Sequence, residues 1–137
     1  MINDVNYVKS QFQSWYRANN WLIHIYPFKL SELEHKLKGV QSPNFEEKTG
    51  FSQITESMRR SKIIDRINML EQERRHNESI CDICEALLER VRPQYHDVFE
   101  YMYKYNSTVA YVAYKTGYSE RRIYEIINEE SERLSRE

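Results

Sequence analysis

Two adjacent arginines, Arg121 and Arg122, open a run of residues whose types suit hydrogen bonding to the edges of nucleic-acid bases. A guanidinium donates two parallel bonds to a guanine. A carboxylate such as that of Glu120 accepts from a cytosine amino group, and a carboxamide such as that of Asn128, two turns further on, pairs with an adenine. Lys104, Thr108, Tyr111 and Lys115 stand upstream and are of types that hold phosphates and set a register. The arginines also have a plainer use. Glu125 and Glu129 are close enough in sequence to pair with them on a solvated helix face.

The elements that must carry these side chains are written in Ser107 to Ile127, STVAYVAYKTGYSERRIYEII, which reads as helix, tight turn, helix. Ala113 falls where two helices cross and only a small side chain fits. Gly117 follows where the chain must turn and a positive φ is cheap only for glycine. Ser119 is a ready N-cap for the second helix, since its hydroxyl can accept from an orphan amide of the first turn. Ile123, Ile126 and Ile127 form the apolar stripe of that helix, faced by Val109, Val112 and Thr116. This spacing is that of a helix-turn-helix, whose second helix enters the major groove with its N-terminal residues on the bases.

The remainder of the chain reads as further helices, so the expected fold class is all-α. Its 137 residues contain three Gly and three Pro, too few for an all-β chain full of turns. Val5, Val8, Phe12, Trp15 and Tyr16 recur at helical spacing over residues 3 to about 22, and Asn19-Asn20 is expected to fray that helix. A short helix from Ser31 to Lys38 has the capping pair Ser31 and Glu34, with Gly39 closing it. Residues 40–53, with Pro, Gly, Asn and Ser and no clear period, read as a loop. A long charged helix starts near Thr55 and either breaks at Asn77 or runs on through the stripe Ile80, Ile83, Cys84, Leu87, Leu88 and Val91. Pro93 suits the first turn of the helix bearing Tyr95, Val98, Phe99 and Met102. Three segments are expected: 1–53, helical with a loop; 54–91, a long charged helix or helix pair; and 92–137, the helix-turn-helix domain.

Other constellations read as ordinary structure. Arg59, Arg60, Lys62 and Arg66 form a basic patch, but Glu56, Asp65, Glu71 and Glu73 are interleaved with the basic residues of this helix, which favours a solvated face. Cys81-x-x-Cys84 lacks a second ligand pair at zinc spacing and lies in an apolar stripe, which suits core thiols. No glycine-rich phosphate loop or nucleophile–base pattern is present, so neither catalytic nor metal-binding residues are assigned and no cofactor is expected. No apolar run approaches the ~20 residues of a membrane span. The N-terminus lacks a signal-peptide pattern, and a cytoplasmic protein without membrane contact is expected. The net charge of −1 means that any electrostatic footprint is local.

A Tyr-rich helix followed by a C-terminal helix-turn-helix resembles region 4 of sigma-70 factors. The layout of the whole chain resembles phage-encoded late-transcription regulators of the RinA and ArpU type. These too have an N-terminal helical part, a loop like SPNFEEKTG, a charged helix like SKIIDRINMLEQ and a terminal helix-turn-helix. The resemblance is specific over roughly Arg92 to Glu137 and schematic before it. It implies a transcription activator in a bacterial host that binds double-stranded promoter DNA and contacts RNA polymerase. By position it puts Glu120, Arg121, Arg122, Tyr124, Glu125 and Asn128 on the exposed face of the recognition helix, with Ser119 at its start.

Two function classes follow. One is a DNA-binding regulator, favoured by the Ser119-Glu-Arg-Arg start. The other is a protein-interaction module that docks RNA polymerase or another regulator, favoured by Glu129, Glu130, Glu132 and Glu137 at the helix end. A small terminase-type packaging subunit is a lesser alternative. The apolar stripes of the N-terminal half, with Phe12, Trp15, Trp21, Ile64, Ile67, Leu87 and Leu88, are expected to supply a partner surface, either for self-association as a homodimer or for polymerase; the alternative is that they fold back on the C-terminal part.

Overall fold

Apolar residues at a spacing of three and four, with little glycine or proline between them, leave the chain few alternatives to helix. The computed structural model describes residues 4–40 and 50–137, and the fold is all-α: no strand occurs among the described residues. The α-helices are α1 (Val5–Gln13), α2 (Trp15–Asn20), α3 (Tyr26–Val40), α4 (Gly50–Arg90), α5 (His96–Phe99), α6 (Val109–Thr116) and α7 (Glu120–Arg136). Trp21–Ile25 and Glu100–Lys104 are π-helical turns, and Pro93–Tyr95 is a 3-10 turn. No helix among the described residues is long and apolar enough to cross a membrane.

The described residues divide into two compact units, 4–20 with 77–137, and 21–40 with 50–76. In the first, Asp4 caps α1 by accepting from the Asn6 amide at 2.9 Å. Ser14 divides α1 from α2, its hydroxyl donating to the Gln11 carbonyl at 2.7 Å. Val8, Phe12, Trp15 and Ala18 continue one buried stripe across that break. Phe12 meets Phe99 with ring centroids 4.9 Å apart and stacks on Tyr103 at 5.6 Å. Cys84, Leu87 and Val91 of α4, Val112 of α6, and Ile123, Ile126, Ile127 and Leu134 of α7 complete the core. Burying one such Phe, Ile or Leu contributes about 1.5–3 kcal/mol, so this packing dominates the stability of the unit. Of the roles expected for the N-terminal stripe, residues 4–20 take the last: they cover the C-terminal helices.

Cys84 is a core thiol. Its Sγ donates to the Gln11 carbonyl at 3.0 Å, and burial, with Cys81 and Glu85 nearby, pushes its pKa up to about 12. Cys81 is half-buried. Pro93 opens the 3-10 turn, and the His96 ring nitrogen Nε2 lies 2.6 Å from the Val91 carbonyl. Asn106 takes a positive φ of 52° before α6, a conformation that Asn tolerates better than most residues.

The second unit contains Trp21–Ile25, α3 and residues 50–76 of α4. Ile63 and Leu70 are its buried apolar side chains. The Tyr26 hydroxyl donates to the Glu71 carboxylate, and Arg74 Nε donates to the same carboxylate at 2.9 Å. The expected fray near Asn20 and short helix from Ser31 are not what the chain adopts. The π-helical turn at Trp21–Ile25 leads directly into α3, so Ser31 lies inside a helix and caps nothing. Pro27 withholds an amide from the helical ladder without ending it; the irregularity stands just before it, as the π-helical turn at Trp21–Ile25. The loop expected over 40–53 falls largely on residues 41–49, which are outside the described residues; 50–53 belong to α4. Asn77 does not interrupt α4.

Candidate nucleic-acid interface

Helix α6 ends because residue 117 is a glycine. Gly117 adopts φ 82°, and its amide donates to the Ala113 carbonyl at 2.9 Å. The Thr116 hydroxyl donates to the Val112 carbonyl at 2.7 Å and accepts from the Tyr118 amide at 3.4 Å, which tightens the turn. Ser119 then caps α7, accepting from the Arg122 amide at 3.1 Å. α7 has 17 residues, about 25 Å of helix. Ile123, Ile126, Ile127, Glu130, Ser131 and Leu134 are buried. Glu120, Arg121, Tyr124, Glu125, Asn128, Glu129 and Glu132 form the open face.

The two arginines have different environments. Arg121 leaves 91% of its side chain exposed and has one ion-pair partner among the described residues, Glu125 at 3.7 Å. Arg122 is held. Its guanidinium donates to Glu129 at 3.1 Å and to the Tyr95 hydroxyl at 3.1 Å, lies 3.6 Å from Glu125, and sits 5.9 Å from the Tyr95 ring centroid. For Arg122 the plainer use, pairing with glutamates of its own helix, is the one observed.

The other expected site residues are also distributed unevenly. Glu120 is exposed in the first turn of α7, where the helix dipole favours a carboxylate. Tyr124 leaves 52% of its surface exposed. The Asn128 carboxamide accepts from Lys9 Nζ of α1, so this side chain has a partner within the unit. Tyr111 and Lys115 come together on α6, with Lys115 Nζ 5.8 Å from the Tyr111 ring centroid. Thr108 caps α6 by accepting from the Tyr111 amide at 3.2 Å. Lys104 is instead half-buried against Trp15 and Tyr105, at 5.7 Å and 5.8 Å from their ring centroids.

The acidic end of α7 is less acidic than its sequence suggests. Glu130 is fully buried. Its carboxylate accepts from the Arg92 amide at 2.8 Å, from Arg92 Nε at 2.9 Å and from an Arg92 terminal nitrogen at 2.6 Å. Arg133 adds bonds at 3.1 and 3.3 Å. Burial opposes ionisation most strongly, but these bonds outweigh it and hold the Glu130 pKa at about 2. Arg133 also donates to the Arg90 carbonyl and to Glu137 at 2.9 Å. Arg136 lies 3.6 Å from Glu132.

Sequence reasoning missed Lys9, Tyr95 and the Arg92–Glu130 pair. The signal for Glu130 was present: it stands seven residues after Ile123 and four before Leu134, on the isoleucine stripe. Nothing local marks Lys9 or Tyr95, whose partners on α7 are distant in sequence. No group of three or more His, Cys, Asp or Glu that could hold a metal ion occurs among the described residues. Compared with known proteins, the chain matches no family model, no curated protein and no solved structure.

Proposed function

We propose that this chain is a DNA-binding transcription regulator that presents the first turn of α7 to the major groove of a duplex. The observation that carries the reading is the contrast at the start of that helix. Arg121 is free to leave its exposed Glu125 partner, while Gly117, Ser119 and the buried isoleucines fix the backbone from which it projects. A well-fixed helix with an exposed guanidinium at its N-terminal turn suits direct readout of a guanine. Tyr111 and Lys115 on α6 supply phosphate contacts, and Ser119 and Thr108 serve as caps. Glu130 adds nothing to the outer negative charge, because its charge is neutralised inside the fold. The resemblance to phage late-transcription regulators extends the reading to activation at a promoter in a bacterial host, in contact with RNA polymerase.

A second reading, docking of RNA polymerase or another regulator without DNA, is favoured by one observation. Tyr105, Tyr111, Tyr114 and Tyr124 leave 44–81% of their surfaces exposed, and aromatic side chains of this kind are enriched at protein interfaces. Selection from a random duplex pool with the full chain separates the two. Enrichment of a defined motif is expected. A pool that remains random after repeated rounds contradicts the DNA reading.

A further inference from the structure

The second unit carries a cationic groove that the DNA reading does not use. Lys36 of α3 and Arg59, Lys62 and Arg66 of α4 line a groove of about 380 Å³, with Glu56 at its side and Ile63 as its buried floor. Glu56 is within 3.2 Å of Arg59. Among the described residues no carboxylate lies within ion-pair distance of Lys36, Lys62 or Arg66, which leaves three cations without an ion-pair partner around one concavity. The adjoining groove of about 340 Å³ is different. It shares Lys36 and Arg66 and adds Lys29, but Glu32 and Glu73 also line it. Positive charge is therefore concentrated in the first groove, with four cations to one carboxylate, and is more nearly balanced in the second, with three to two.

Helix-end chemistry does not explain the cluster. Lys36 and Lys38 stand near the carbonyl end of α3, where cations are favourable. Lys62 and Arg66 are inside α4, turns away from either of its ends, and have no such role. The three unpaired cations around one groove repel each other and attract an anion, and an apolar floor strengthens that attraction by lowering the local dielectric. Arginine forks and a lysine point charge together suit phosphate oxygens.

We propose that the α3–α4 groove is a binding site for closely spaced phosphates, two or more held by Lys36, Lys62 and Arg66 with Arg59 at the edge. The phosphates are carried either by a nucleic-acid backbone or by a free nucleotide or polyphosphate. The site is independent of α7, so its failure leaves the reading of α7 untouched and the converse also holds.

The test is an amide chemical-shift titration of the full chain with sodium tripolyphosphate at low salt. Saturable shifts are expected at residues 59, 62, 63 and 66. The double variant Lys62→Glu with Arg66→Glu, checked for unchanged helicity, is expected to weaken binding at least tenfold. Lys29→Glu, which lies in the neighbouring groove, is expected to change it less than twofold. A short duplex that displaces tripolyphosphate from these amides identifies a nucleic-acid backbone as the source; failure to displace it identifies a free polyphosphate or nucleotide. Either result supports the site. Absence of saturable shifts at these residues, or an equal loss of affinity in Lys29→Glu, overturns it.

Discussion

Arg92 and Glu130, 38 residues apart, are joined by three hydrogen bonds of 2.6 to 2.9 Å, one from the backbone and two from the side chain of Arg92. The pair fastens the chain just after α4 to the middle of α7, with the carboxylate fully buried. It also orients the helix whose first turn is proposed to read DNA.

Replacing Glu130 by Gln should therefore cost about 3 kcal/mol at neutral pH, as expected for breaking a buried ion pair from one side. The pH dependence has a defined sign. A carboxyl whose folded pKa is depressed contributes stability above its unfolded pKa and loses it as pH falls through the folded value. For Glu130 that window runs from about 4.5 down to about 2. Urea melts of both proteins should differ most near pH 7 and converge near pH 2.

Gly117→Val should destabilise the first unit by about 1–3 kcal/mol, since φ at this position is 82°. A Cβ there would meet nothing within 4 Å, so the cost is torsional and not steric crowding. Gly117→Asn should then recover much of the loss, because Asn adopts left-handed backbone more readily. Thermal melts of the two variants check this. Equal losses would mean that the backbone conformation is not the cause.

Ser131 is fully buried, and its hydroxyl has no hydrogen-bond partner. Ser131→Ala removes an unsatisfied polar atom at little cost in packing. It should leave stability unchanged or raise it by up to ~1 kcal/mol. A loss of stability in chemical denaturation would show that the hydroxyl is satisfied in solution.

Arg122→Ala should lower Tm by a few degrees, because its bond to the Tyr95 hydroxyl joins α7 to the turn before α5, while its bond to Glu129 supports α7 itself. Arg121→Ala should leave Tm unchanged, because its side chain is solvated. Calorimetry of both variants would distinguish a structural arginine from one paired only on the exposed face of its own helix.

Much of this architecture was legible in the residues themselves. The Gly117 turn, the Ser119 cap and the isoleucine stripe are local, and each follows from one residue's conformational preference or from periodicity. The stripe of Val8, Phe12 and Trp15 was legible as a face, but not its partner. Helical spacing says which side is apolar and nothing about which helix covers it; here Cys84, Phe99 and the α7 isoleucines do. Arg121 and Arg122 look equivalent in sequence, yet successive residues point about 100° apart on a helix. That rotation turns one guanidinium to solvent and the other onto Tyr95. Glu130 stands among acidic neighbours in the sequence, but its place on the apolar stripe requires a buried partner.

The central claim is that Arg121 reads a base from the first turn of α7. Fluorescence anisotropy on a selected duplex, repeated over a salt series, tests it most directly. Arg121→Ala should weaken binding to that duplex by about 1–3 kcal/mol, leave binding to a scrambled duplex unchanged and preserve the salt slope, since a base contact releases no counterion. Lys115→Ala should weaken both duplexes alike and lower the slope by about one. Unchanged affinity of Arg121→Ala for the selected duplex would contradict the claim.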